Sequence, residues 1–268
     1  MRPSRTVSTT ALALAAALGL AACGSASAPH AKAKNVEVSP VAAVRNASGA
    51  TVRSGSATFT MALTMRNGGT ATDINGSGVF DYNRRLGEVS VALPSALSQG
   101  KAAKLDEIIT PTAMYMSGEP FGQPGKWVKV NMSKLGMAGL ANQADPSQLT
   151  QTLEALTSAQ KVGPETVAGV PTTHYRGSLD AAKAYATLSG KAQQLAARSG
   201  VTLPKTIPFD SWINGQGRLV KVIEDFTMTV AKQPQELHVQ VTLGSFGKPV
   251  TVHVPTAGQL VVLPGLSG

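Results

Sequence analysis

From Ala57 to Met65 the chain alternates: Ala57, Phe59, Met61, Leu63 and Met65 fall on one phase, Thr58, Thr60, Ala62 and Thr64 on the other. A period of two predicts a strand with one buried and one wet face. Asn67-Gly68-Gly69 then predicts a turn. Further strands are expected from Ile74 to Tyr82, Leu86 to Leu93, Ile108 to Met116 and Lys126 to Val130, and a hairpin from Val162 to Ala168 and from Thr172 to Leu179 around Gly169. Four more are expected from Phe209 to Ile213, Arg218 to Val230, Glu236 to Leu243 and Val250 to Val254, with Asn214-Gly215-Gln216-Gly217 and Gln233-Pro234 as turns. The connections are too short for parallel crossovers of a dozen residues or more, so neighbours should be antiparallel.

Helical spacing appears in three places. Ser39-Pro40 reads as a cap followed by a first-turn proline, with Val41, Val44 and Ala47 on one face and a stop at Gly49. Asp145-Pro146 opens a second helix, Gln148 stands at the capping-box distance, and Leu149, Leu153 and Leu156 share a face. A third is expected from Asp180 to Ser199-Gly200, with Tyr185, Leu188, Ala192 and Leu195 on one stripe.

These elements predict an α+β fold: a large curled antiparallel sheet, a half-barrel of roughly ten strands, with two or three helices covering its concave apolar face. The candidate walls of a ligand cavity are Phe59, Met61, Leu63 and Met65 on one strand and Val239, Val241 and Leu243 on another. Leu149, Leu153, Leu156, Tyr185, Leu188 and Leu195 are its candidate roof. A filled core produces the same alternation, so two readings stand: a cavity for an acyl ligand, or a structural or interaction protein packed with its own side chains. Met61, Met65, Met114, Met116 and Met228 fit either, as flexible core filler or as a surface that adapts to variable chains.

The first residues obey a different pattern. Arg2 and Arg5 precede an apolar run from Ala11 to Leu20, too short for a span of roughly 20 residues and suited to a secretory signal. Leu20-Ala21-Ala22-Cys23 resembles the bacterial lipobox, in which the cysteine sulfur receives a diacylglycerol and becomes the first residue after cleavage. Residues 1–22 are therefore expected to be a signal peptide, and 23–35 a lipidated cysteine with a flexible tether of Ser, Ala, Pro and Lys. Residues 36–268 are expected to form one folded domain, the part whose function the family likeness described below bears on. Two acyl chains give stable anchoring, so the expected place is the extracytoplasmic face of the cell membrane.

Cys23 is the single cysteine, so no internal disulfide can hold the fold. Lys and Arg number 24 against 15 Asp and Glu, a net +9 that falls to +7 without Arg2 and Arg5. In an exported lipoprotein the expected partner of that charge is an anionic membrane surface. Aromatic residues make up 4% of the chain and are not interleaved with basic ones, which argues against nucleic acid. A monomer is expected.

Reactive constellations are missing from the sequence. There is no nucleophile elbow, no phosphate-binding loop and no His-Glu-x-x-His helix, and Ser98-Gln99-Gly100-Lys101 lacks the companion motifs of an acylating site. His174, His238 and His253 are expected to face water, without carboxylates or cysteines placed to complete a zinc site. The chain is therefore read as non-enzymatic, with no metal and no cofactor.

Two longer stretches carry a family likeness. Val162-Gly163-Pro164-Glu165-Thr166-Val167-Ala168-Gly169-Val170-Pro171-Thr172-Thr173-His174-Tyr175-Arg176-Gly177 is similar to the hairpin of actinobacterial LppX/LprAFG-like lipoproteins, which share the LolA-like half-barrel. Pro208-Phe209-Asp210-Ser211-Trp212-Ile213-Asn214-Gly215-Gln216-Gly217-Arg218-Leu219 resembles their tryptophan strand, and Phe246-Gly247-Lys248-Pro249-Val250 with Pro255 their closing strand. The resemblance implies an incomplete barrel whose concave side, roofed by helices, holds acyl chains of a lipid, glycolipid or lipoprotein.

Overall fold

Strands that follow one another in sequence pair side by side, most of them across short reversals, and this produces two antiparallel meanders in the computed structural model. It describes residues 38–95, 101, 103–118, 125–130, 153–186, 193–194, 197–198 and 200–262. The first meander runs through β1 (Ser56–Asn67), β2 (Thr70–Asp81), β3 (Leu86–Leu93), β4 (Ala103–Ile109), β5 (Met114–Gly118) and β6 (Trp127–Val130). The second runs through β7 (Leu156–Val167), β8 (Val170–Asp180), β9 (Thr206–Asn214), β10 (Leu219–Val230) and β11 (Gln233–Gly244). β1 pairs with β11 from Thr58↔Gly244 to Arg66↔Glu236, which joins the two meanders into one open sheet. β12 (Leu260–Val261) adds to the edge of β6 in parallel, opposite Trp127 and Val128. The fold is α+β, and Val38–Gly268 is one compact unit that contains every described element and the described core.

Turn chemistry fixes the registers. Gly68-Gly69, Ala168-Gly169 and Ala231-Lys232 have positive φ at both central positions, the two-residue turn whose twist matches that of the flanking strands. The third is built without glycine, at φ 48° and 67°. The turn expected at Gln233-Pro234 therefore lies two residues earlier, and both residues belong to β11. Pro234 lies beyond Glu236, the last position of β11 paired to β1, so a ring without an N–H sits where one side of the strand is open.

Helix α1 (Pro40–Val52) begins as its sequence demands. Ser39 Oγ accepts from the Ala42 N–H at 3.3 Å, and Pro40 occupies the first turn. Gly49 does not end it. The Arg53 N–H donates to the Gly49 carbonyl at 2.9 Å, and the Arg53 guanidinium lies over the bare Cα. Val44 and Ala47 are buried and pack with Leu156, Leu179, Ile207, Phe209, Ile213 and Leu219. α1 thus covers the apolar face at the β7–β10 end.

Three further expectations are corrected, and a fourth is seen only in part. The strand expected from Ile108 to Met116 is two strands, β4 and β5. Pro111 presets the turn between them, and Thr110 closes it by donating through Oγ1 to the Ala113 carbonyl at 2.8 Å while accepting the Ala113 N–H at 2.9 Å. Leu156 is not on a helix. Residues 153–154 are helical, and Leu156 opens β7 opposite Leu179, a buried pairing that overrides the helical spacing. Residues 250–254 form no strand; the closing pair is β12. The third helix starts at Ala181, where Asp180 Oδ1 caps the Lys183 N–H at 3.0 Å, and α2 is described over Ala181–Ala186. Gly200, at φ +64°, donates to the Ala197 carbonyl, the stop that the sequence places there.

One buried contact fastens α1 to the sheet. Thr51, fully buried, donates through Oγ1 to the Ala47 carbonyl at 2.8 Å and accepts the Leu219 N–H at 2.9 Å. Thr51→Val keeps the shape and strands that N–H, so it should lower unfolding stability by about 1–3 kcal/mol in urea titration, with Thr51→Ser close to wild type. An unchanged midpoint for the valine variant would show that the bond contributes nothing.

Candidate functional site

Residues paired across an antiparallel ladder point to the same side. Phe59, Met61, Leu63 and Met65 stand opposite Leu243, Val241, Val239 and Leu237 of β11, and opposite Gly78, Gly76, Ile74 and Thr72 of β2. The expected wall residues therefore form one continuous apolar surface on the side that α1 covers further along. At the α1 end Phe209, Ile213 and Leu219 are fully buried, whereas Phe59, Met61, Leu63, Met65, Val239, Val241 and Leu243 are only half-buried. The centre of the sheet is a partly covered apolar trough, and the end beneath α1 is a packed core.

Two glycines keep that surface low. A Cβ on Gly78 would lie 2.8 Å from the Phe59 ring, and one on Gly177 would lie 2.7 Å from the Phe209 ring. Each ring lies against bare backbone of the neighbouring strand instead of standing away from the sheet.

The trough also contains charge that the alternation does not announce. Glu107 shares the phase of Leu105 and Ile109 and stands between Val89 of β3 and Met116 of β5. Glu224 shares the phase of Val222 and Phe226 and stands between Val239 of β11 and Phe209 of β9. Neither has a hydrogen-bonding or ionic partner among the described residues, and burial pushes both carboxyl groups above their usual range. Sequence reasoning missed them, although Leu-x-Glu-x-Ile and Val-x-Glu-x-Phe place each on an apolar phase.

The opposite face gathers the polar residues of the two family-like stretches. His174, expected in water, is buried, and this corrects that reading. Its Nε2 lies 2.5 Å from Asp210 Oδ1 and its Nδ1 3.3 Å from Glu165 Oε2. The ring stacks on Trp212 at 4.4 Å and 9°, and the Trp212 Nε1–H donates to Glu165 Oε2 at 2.6 Å. Arg176 Nε donates to Asp210 at 2.9 Å, and Lys221 Nζ sits 4.7 Å from the centre of the Trp212 ring. The partners of His174 are carboxylates rather than a hydroxyl or thiol, so the cluster clamps β7 to β10 instead of activating a nucleophile. His238 pairs with Asp225 at 2.6 Å, and His253 is exposed outside any strand. Among the described residues no three His, Cys, Asp or Glu side chains are placed to hold a metal ion.

A depression of about 680 Å³ lies on the polar side, lined by Thr60, Asn75, Ser77, Ser90, Lys104 and Gln240, with Met61 and Gly76 also touching it. Ala62 and Ala92 complete the lining, which therefore mixes hydroxyl and amide groups with apolar ones. Of the expected roof, Leu153 is half-buried against the α1 core, and Tyr185 is half-buried with its hydroxyl donating to the Gln193 carbonyl at 2.6 Å. Leu149, Leu188, Leu195 and Cys23 lie outside the described residues, as does most of Ser98-Gln99-Gly100-Lys101.

No protein-family profile matches the chain. It is 30% identical over 151 residues to a Streptomyces griseus protein described as an uncharacterized 31.2 kDa protein in the rplA-rplJ intergenic region; the match covers 50% of this chain and 47% of that one. The chain thus spans about half the length of the curated relative it matches. Among solved structures it is similar to LprF from Mycobacterium bovis, at 16% identity and a TM-score of 0.49, covering 81% of this chain and 97% of that one. It is also similar to the Mycobacterium tuberculosis lipoprotein LppX, at 16% identity and a TM-score of 0.45, covering 80% and 97%. Similarity this distant transfers no ligand and no residue role.

The two trough carboxylates make stability depend on pH. Folded protein binds their protons more tightly than the unfolded chain does, so this contribution falls as pH rises from 4.5 through the raised values. The stability of Glu107→Gln/Glu224→Gln relative to wild type should therefore increase as pH rises from 4.5 and level off once the raised values are passed, in denaturant titrations. A difference that stays constant with pH would mean the carboxylates are as well solvated in the fold as outside it.

Proposed function

We propose that this protein is an extracytoplasmic lipoprotein, anchored to the cell membrane through a diacylated Cys23, that binds or transfers a lipid, glycolipid or other acylated molecule in the apolar trough. The observation that supports this reading is the half-burial of Phe59, Met61, Leu63 and Met65 and of the paired Val239, Val241 and Leu243, beside a core that is fully packed. Apolar surface left partly covered gains about 0.8 kcal/mol per methylene when a chain occupies it, offset by the cost of ordering that chain. Methionines at positions 61 and 65 suit a surface that accepts chains of differing shape. Carriage of this kind needs no reactive group, and the buried histidine supplies none.

The competing reading, an interior filled by the protein's own side chains, is favoured at the β7–β10 end by the burial of Phe209 and Leu219. Leu63→Trp separates the two at the centre. In a ligand trough the new ring occupies free space, so the variant should keep its stability and bind a fluorescent fatty acyl probe more weakly. In a filled core it should lose about 1–3 kcal/mol by overpacking. Wild-type protein that binds no acyl probe, with a variant that unfolds early, would refute carriage.

The anchor has its own test. Mass spectrometry of membrane-bound protein should find a diacylglycerol on Cys23 as the first residue, and Cys23→Ala should accumulate uncleaved or mislocalised precursor. An unmodified mature protein that begins elsewhere would rule the anchor out.

A further inference from the structure

The trough is bordered by charge on both sides. Glu107 lies three strands from β1 in one direction and Glu224 two strands away in the other, so the apolar strip of β1, β2, β3 and β11 runs between them. Register places Glu107 on the row Val89, Gly78, Phe59, and Glu224 on the row Val239, Leu63. The rows are four residues apart on β1, about 13 Å along the strand. No basic side chain occupies this phase on β1, β2, β3, β5, β9 or β11 among the described residues. Arg66 of β1, Lys104 of β4 and Lys129 of β6 fall on the other phase.

An unpartnered carboxylate in an apolar wall is costly to keep, and the chain keeps two. It accepts hydrogen bonds and donates none when ionised, so it complements a ligand that brings O–H donors. A carboxylate or phosphate head would add a like charge to a water-poor surface. An ammonium head would have to lose its own hydration to pair there, an exchange that often breaks even, whereas a hydroxyl surrenders far less.

We infer that Glu107 and Glu224 are specificity-determining residues that select uncharged, hydroxylated amphiphiles, such as those with polyol head groups, and reject anionic ones. This rests on the reading of the trough as an acyl-binding surface. The acyl chain supplies affinity along the strip, and hydroxyl groups of the head satisfy a bordering carboxylate.

The test uses the compact unit Val38–Gly268 and one pyrene-labelled long acyl chain carried by three heads: glycerol, carboxylate and primary amine. At neutral pH the glycerol-headed probe should bind about tenfold more tightly than the carboxylate-headed one, the difference that a charge-assisted hydrogen bond supplies. Glu107→Gln/Glu224→Gln, which keeps the shape of both side chains, should bring that ratio close to one by strengthening carboxylate binding. Equal binding of glycerol and carboxylate heads to wild type, a preference for the amine, or a ratio unmoved by the substitutions would overturn the inference and leave the trough standing. Failure of all three probes would overturn the acyl-binding reading, and this inference with it. The wild-type ranking decides the matter even where a variant fails to fold.

Discussion

Everything in this sheet depends on the pairing of β1 with β11. Within each meander most strands find their partner a few residues away, across a two-residue turn or a short loop, and such closures cost little chain entropy; β8 and β9 are joined by a longer connection, residues 181–205, that carries α2. β1 and β11 are separated by most of the domain, yet they pair without a register break from Thr58 to Arg66. A slip of one residue there would turn the apolar phase of one meander onto the polar side of the other. The alternation of Phe59, Met61, Leu63 and Met65 against Leu243, Val241, Val239 and Leu237 forbids it, because a one-residue slip would part the two apolar sets onto opposite faces.

That shared face is then covered unequally. α1 reaches it chiefly through β7, β9 and β10, fastened by Thr51 to the first residue of β10 and by Arg45, whose guanidinium donates to the Leu156 carbonyl at 2.9 Å. Beneath the helix, side chains reach full burial. Away from it the same apolar phase continues with half-buried side chains, flattened where Phe59 lies against Gly78. A core and a trough thus arise on one face from one alternation, and the placement of a helix decides which is which.

The alternation made the face, the residues that share it and the α1 cap readable in the sequence, since each is a local pattern. What escaped depends on partners distant in sequence or on turns that break the usual composition. Ala231-Lys232 adopts a turn that normally calls for glycine or asparagine, because two long strands in fixed register impose it. Leu156 obeys helical spacing and still opens a strand, because Leu179 waits opposite. His174 is buried only once Glu165 and Asp210, from the two neighbouring strands, converge on it. Glu107 and Glu224 were visible as charges on an apolar phase, but their isolation shows only when every neighbour across the ladder is also apolar.

The two faces of the sheet handle ionisable groups in opposite ways, and the contrast bears on function. On the polar side His174 lies against two carboxylates, Asp210 also takes Arg176, and the indole of Trp212 satisfies Glu165, so each buried polar group finds a partner and the cluster is closed. Such a cluster rigidifies β7 through β10. On the apolar side Glu107 and Glu224 have only hydrocarbon beside them on all four in-face positions. If stability alone shaped that face, leucine or glutamine at either position would relieve the desolvation cost at no loss of contact. A carboxylate left without a partner on an apolar face is therefore a feature of this fold that calls for something beyond folding to account for it.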